Sequence, residues 1–338
     1  MSKRRKALTS LILVITAMSA VAVIALHGGG VFAAEQLKSG SGNALRISPV
    51  RTDLVIEAGT SKAVDVIVQN MSGNTAKLHP IVNDFTVRQG NETGQPDIIL
   101  DEGQAAPTHS LKQYVGALAD FTLGPNEQKT IKVTVTIPKD AAGGGYFGAV
   151  RFEPASNAGN QVSLSGSVGS LLLVKVPGNI VEKTDLASFD VRKGDSTSSF
   201  FVSNTDLKAV SRFENKGNVQ VQPFGKIILK SQSGKVLSSH EINDSEPRGN
   251  VLPNSIRRFD TALTKVGSFG KFTVEANFGY GSSGQLLVAK KTFYVVPVWV
   301  MALAGGVVLV IILGIFVIPR AIRTYNQSII RKATSRRR

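Results

Sequence analysis

The chain has no cysteine among its 338 residues. Disulfides and thiolate metal sites are therefore excluded, and stability has to come from buried apolar side chains. An exported protein without disulfides fits a bacterial envelope better than a eukaryotic secretory route. Histidine is nearly as scarce. His27, His79, His109 and His240 stand far apart, with no second histidine at ligand spacing, so no zinc site is expected. Tryptophan occurs once, at Trp299.

Acid is missing from both ends. Residues 1–34 carry Lys3, Arg4, Arg5 and Lys6 and no Asp or Glu, and residues 319–338 carry seven basic residues and no acid. These ends hold eleven of the fifteen excess positive charges, and residues 35–318 balance 28 basic against 24 acidic side chains. A nucleic-acid binder needs a basic patch on its folded body, so nucleic acid is not expected as a partner. The charge instead flanks two apolar segments, where membrane topology uses it.

The first segment, 7–26, follows the basic cluster and precedes Val31-Phe32-Ala33-Ala34. That order reads as a signal peptide over 1–33, cleaved after Ala33. An uncleaved signal anchor is the alternative. A linker is expected over 34–43.

The second segment, 295–318, is uncharged and almost wholly apolar. Its 24 residues would span about 36 Å as a helix, enough for a hydrocarbon core of about 30 Å. Phe293, Tyr294 and Trp299 cluster upstream as an interfacial belt would, and Pro319 and Arg320 close the other end. The basic tail 319–338 is then expected in the cytoplasm and the middle of the chain outside, in the cell membrane with a single pass. Ile322, Tyr325, Ile329 and Ile330 recur at helical spacing in that tail. They suit an amphipathic helix on an anionic inner leaflet, with a solvated stop-transfer tail as the alternative.

Between the segments, short alternating β-branched runs are broken by Gly/Asn/Pro turns, as in Val64, Val66 and Val68 before Ser72-Gly73-Asn74. This pattern predicts an all-β body of two tandem immunoglobulin-like sandwiches, over 44–177 and 178–294. Pro177-Gly178-Asn179 reads as the hinge. Residues 161–167 read as a strand, and 108–119 as helical inside a crossing loop, with Leu111, Val115 and Leu118 on one face. The halves share a plan. Asn70-Met71-Ser72-Gly73-Asn74 parallels Asn215-Lys216-Gly217-Asn218, and Leu123-Gly124-Pro125-Asn126 parallels Leu252-Pro253-Asn254. Two copies of one fold explain this, against chance likeness among turn residues.

Motifs for catalysis are thin. Gly143-Gly144-Gly145-Tyr146-Phe147-Gly148 satisfies G-x-G-x-x-G, but a strand pattern follows where a dinucleotide site needs a helix. Asp97, Asp101 and Glu102 match no calcium-loop spacing. No catalytic, metal or cofactor residue is assigned. The candidate ligand contacts are aromatics and an arginine among polar neighbours: Tyr114, Tyr146, Phe147, Arg151 and Tyr280. Aromatic faces stack on sugar rings, and arginine pairs with carboxylates. Core packing of the same residues is the alternative.

The whole arrangement resembles the WxL-interacting protein family of Gram-positive surfaces. The residues that carry the likeness are Ile47-Ser48-Pro49-Val50, Val66-Ile67-Val68-Gln69-Asn70, and Ile137-Pro138-Lys139-Asp140 leading to Gly144–Phe152. The resemblance implies a first domain that binds peptidoglycan and a second that binds a partner protein. The expectation is a non-enzymatic, membrane-anchored binding protein for cell-wall polymer or another surface protein. Two alternatives stand beside it: an accessory subunit of a membrane or secretion complex recruited by the helix and tail, and a wall hydrolase with a hidden carboxylate pair.

Overall fold

The computed structural model describes residues 45–88, 90, 92–154 and 167–335. The expected signal peptide, the linker and all but the last residue of the expected strand 161–167 lie outside these. The described residues form two β-sandwiches followed by one long helix.

The first sandwich is built from β1 (Leu45–Ser48), β2 (Arg51–Val55), β3 (Ser61–Asn70), β4 (Ala76–Val87), β5 (Pro96–Ile98), β6 (Phe121–Leu123), β7 (Gln128–Thr136), β8 (Gly144–Pro154) and β9 (Val168–Val176). Strands β1-β3-β7 make one sheet, and β2-β9-β8-β4-β5 make the other, with β6 also on β4. Pro49 separates β1 from β2 and has no N–H to give a ladder, so the chain leaves one sheet there and joins the other. Val64, Val66 and Val68 face inward beside Val133 and Val135, against Leu78, Val150, Phe152 and Val174.

The second sandwich contains β10 (Thr184–Lys193), β11 (Ser196–Thr197), β12 (Phe200–Phe201), β13 (Leu207–Asn215), β14 (Phe224–Ser231), β15 (Val236–Ile242), β16 (Ser255–Ala262), β17 (Gly270–Tyr280) and β18 (Gln285–Val295). Its sheets run β11-β10-β13-β16 and β12-β18-β17-β14-β15. Phe213 and Phe278 meet edge to face at 5.0 Å in its core, with Ile227, Leu229, Val274 and Phe293 around them.

The repeated asparagine turn has a physical reason. Asn70 and Asn215 both end a strand and are both fully buried. Asn70 donates through Nδ2 to Asn74 O (2.7 Å) and Gly124 O (2.9 Å), while its Oδ1 accepts from Ser72 N (3.0 Å). Asn215 repeats this with Val219 O (2.8 Å), Val251 O (2.9 Å) and Gly217 N (2.9 Å). Each side chain ties its own turn to a distant loop, which apolar residues of the same size cannot do.

Three sequence expectations need correction. Residues 108–119 form no helix beyond a single 3-10 turn, Lys112–Tyr114. The buried Asp84 carboxylate takes the N–H groups of Leu111 and Lys112, both at 2.9 Å. After one turn Gly116 N donates to Thr134 O at 2.9 Å while Val115 bridges to Val135, so the segment is drawn onto β7 instead of continuing as a helix. The apolar helix, α1 (Val298–Ser335), starts three residues later than expected. Val295 belongs to β18, opposite Gly270, and Phe293 is core, which leaves Trp299 alone of the aromatic trio in the helix. Nor does Pro319 end the helix, which continues through it. Residues Val298–Arg320 are long and apolar enough to cross a membrane, and none of that stretch is buried against the other described residues.

Replacing either Asn70 or Asn215 with Ala is expected to cost about 3 kcal/mol, because each leaves buried carbonyls and an N–H without partners. Equilibrium denaturation of both variants should show similar losses. A loss confined to one would mean the turns are not equivalent.

Candidate functional site: the seam and cleft between the sandwiches

The six-stranded sheet carries apolar side chains on both faces. Its inner face lines the first core. Its outer face presents Phe85, Phe147, Ala149 and Leu173, and Leu252 of the second sandwich covers them. Around this patch the two sandwiches exchange polar contacts. Arg51 donates through Nη1 to Arg248 O at 2.7 Å, and Gly145 N donates to Asn218 O at 2.8 Å. Asn218 Nδ2 donates to Gly143 O (3.1 Å) and Asn179 O (2.8 Å). Arg212 pairs with Glu92 at 2.7 Å, and Arg258 N donates to Glu92 O at 2.7 Å. The segment 177–179, read from sequence as a hinge, is thus tied down.

The glycine run has its explanation here. A Cβ on Gly143 would lie 2.6 Å from Asn179 N, and one on Gly144, at φ +153°, would lie 3.0 Å from Asn218 O. Only glycine lets the second sandwich approach this closely. A strand follows, β8, and no helix, as the alternation predicted.

Beside the seam lies an open cleft of about 350 Å³, lined by Asp53, Leu54, Val55, Lys175, Glu182, Gln220, Gln222, Phe224, Arg248 and Asn250 among others. Its walls come from the edge strand β2, from β9 and from the loops of the second sandwich. Glu182 straddles the two bodies. Lys175 Nζ donates to Glu182 Oε1 at 2.9 Å, and Ser282 donates to Oε2 from its N (2.6 Å) and its hydroxyl (2.7 Å). Burial alone would push this carboxyl up, but Lys175 and Ser282 together hold it below the ordinary glutamate value. The Arg248 guanidinium lies 5.0 Å over the Phe224 ring and is exposed to solvent. Gln220 Oε1 is buried without a partner. The cleft therefore offers a cation and amide groups beside apolar Val55, with Leu54 behind it in the first core.

The residues singled out from sequence lie elsewhere. Tyr114 and Tyr146 meet edge to face at 5.5 Å, half-buried at the rim of the first core. The Tyr146 hydroxyl donates to Ala142 O at 2.9 Å, and burial, then Tyr114, pushes it up from its ordinary value. Phe147 is 3% exposed, packed on Phe85 and His109, so its ring is seam core and cannot stack on a ligand. Arg151 is buried beside it on the same sheet face and paired with Glu153. Burial lowers its pKa from the ordinary value, with Glu102 opposing. Tyr280 is buried in the second core and donates to Gln285. None of the five lines the cleft. Its residues, from Asp53 to Asn250, carry no local motif, because they converge only when the two sandwiches dock.

No family model matches the chain, and no curated protein matches it. Among solved structures, the class 5 fimbriae chaperone CfaA is similar at 15% identity and a TM-score of 0.36, over 75% of this chain and 100% of that one. The E. coli chaperone DraB is similar at 12% and 0.32, over 75% and 97%. A chaperone–tip adhesion subunit pre-assembly complex, CsuC-CsuE of Acinetobacter baumannii, is similar at 17% and 0.30, over 64% and 89%. Likeness this distant carries no functional argument.

Since the Glu182 carboxyl is depressed in the folded chain, its stabilisation is present above the unfolded glutamate value and is lost as pH falls through the folded one. Glu182→Gln should therefore lower stability at neutral pH, and its gap to wild type should shrink as pH falls below the ordinary glutamate value of about 4.3. Denaturation midpoints measured between pH 3 and pH 7 check this; a constant gap across the range would contradict it.

Proposed function

We propose that the chain is a membrane-anchored, non-enzymatic binding protein that holds the cleft between its sandwiches at the outer surface of the cell. The observation that carries this is the junction of fold and helix. A folded body with two closed cores ends at Val295, and three residues later begins an apolar helix that none of the described residues covers. Exposed apolar surface of that extent in water would be unfavourable by tens of kcal/mol at about 25 cal/mol per Å², so lipid is its natural solvent. Basic residues beyond Arg320, opposed by no acid, favour the cytoplasm for the tail and the exterior for the sandwiches.

The cleft fits a polymer that mixes carboxylates with amides and hydroxyls. Arg248 suits a carboxylate, Gln220 and Gln222 suit amide or hydroxyl groups, and Val55 gives an apolar floor. Cell-wall peptidoglycan has this chemistry, in agreement with the resemblance to WxL-interacting proteins. A surface protein presenting an acidic, extended segment has it too.

Co-sedimentation of the full chain, solubilised in detergent, with purified cell-wall sacculi tests the reading. Wild type should sediment, and Arg248→Ala combined with Gln222→Ala should reduce binding at least about tenfold, the equivalent of 1.4 kcal/mol. Wild type left in the supernatant would contradict wall binding and favour the protein partner. Undiminished binding by the double variant would move the site out of the cleft.

A further inference from the structure

The geometry points to a second interaction surface, the helix-proximal end of the second sandwich, which we propose sits in the headgroup layer of the outer leaflet. This rests on the reading of α1 as a membrane span. Only Val296 and Pro297 separate β18 from α1. Two extended residues reach about 7 Å. The polar layer on each side of a hydrocarbon core is about 5–8 Å deep. The linker therefore cannot lift the sandwich clear of the lipid.

Nor is the linker loose. Strand β12 pairs in parallel with the last two residues of β18, Phe200 beside Tyr294 and Phe201 beside Val295. Tyr294 N donates to Ser199 O and Val296 N to Phe201 O, both at 2.8 Å. The chain is thus stapled to the sandwich up to the residue before Pro297.

The same end exposes apolar side chains that serve no core. Phe200 is 65% exposed and stacks flat on Tyr294 at 5.0 Å. Val202 is 55% exposed, and Phe269, next to the Gly270–Val295 pair, is 58% exposed. In the first helical turn Trp299 is 65% exposed. Lys235, Lys265 and Lys271 lie exposed on the turns and strand start at this end, against Asp195 and Asp206. Aromatic rings backed by lysines suit the lipid interface, where rings sit at the headgroup level and ammonium groups reach phosphates. At the opposite end the turn Gly281–Gly284 is built of glycine and serine, Tyr280 is buried, and Phe224 is covered by Arg248, so no lysine-backed cluster of bare rings faces outward there. The occupant is therefore an anionic lipid surface, continuous with the span, and the foot fixes the height and tilt of the body above it.

The cysteine-free chain allows single spin labels at Ser268→Cys, beside Phe269, and at Ser283→Cys, at the far end. The full chain is placed in phosphatidylglycerol nanodiscs, and Trp299, the sole tryptophan, reports independently on the helix through quenching by brominated lipid. The expected result is Trp299 quenched, the Ser268 label relaxed by lipid-soluble oxygen more than by an aqueous nickel complex, and the Ser283 label the reverse. Adding Phe200→Ser and Phe269→Ser should return the Ser268 label to water with Trp299 still quenched. A Ser268 label as water-accessible as Ser283, with Trp299 quenched, overturns the foot and leaves the span. Trp299 unquenched overturns the span and the foot with it. A Ser268 label shielded from both agents places protein there, a second copy or a partner, and also overturns the proposal.

Discussion

A sheet that carries large apolar side chains on both faces cannot leave either open to water, and this requirement organises the body of the protein. Strand β8 sends Tyr146, Val150 and Phe152 into the first core and Phe147 and Ala149 to the opposite side. Leu252 of the second sandwich packs into that patch, beside Val87, Ile98 and Leu171 of the first. Removing the second sandwich would expose these rings, an apolar patch of the kind that otherwise marks an interface. The hydrogen bonds and ion pairs around the patch add direction to a contact whose drive is burial. Arg257 shows how tight the fit is. A Cβ on Gly94 of the first sandwich or on Gly249 of the second would strike its guanidinium from either side, and its pKa falls through burial first and then the nearby Arg51.

Much of this was legible in the sequence, for a definite reason. Strands with one wet face alternate, so Val64, Val66 and Val68 declared their inward side, and the paired asparagine turns announced two copies of one plan. Strands wet on neither face do not alternate. In Gly144–Pro154 eight of the eleven positions are buried, so Phe147 and Arg151 read as aromatics and cations among polar neighbours when they are packed. The cleft was illegible for another reason. Asp53 and Arg248 are nearly two hundred positions apart, and no spacing rule links residues that meet only through docking. The apolar helix starts later than its hydropathy suggests because Phe293 and Val295 are as apolar as the residues that follow, and hydropathy does not tell a core strand from an uncovered helical turn.

The parts combine into one mechanical description. The seam makes a rigid body of two sandwiches, with a cleft whose walls come from both. A strand that runs into the helix with a two-residue break fixes that body to its anchor. A cleft built across a seam keeps its shape only if the seam holds, and it binds with little loss of conformational freedom when it does. On the proposed reading of the helix as a membrane span, such a body would hold its cleft at a set distance from the lipid.

The central claim is that docking of the two sandwiches is fixed. Pulsed electron–electron distance measurement between spin labels at Asp65→Cys in the first sandwich and Ser239→Cys in the second tests it most directly, since both positions are exposed and no native cysteine competes. A single narrow distance distribution is the result this account predicts. A broad or two-peaked distribution, from bodies that swing about residues 177–183, would contradict it.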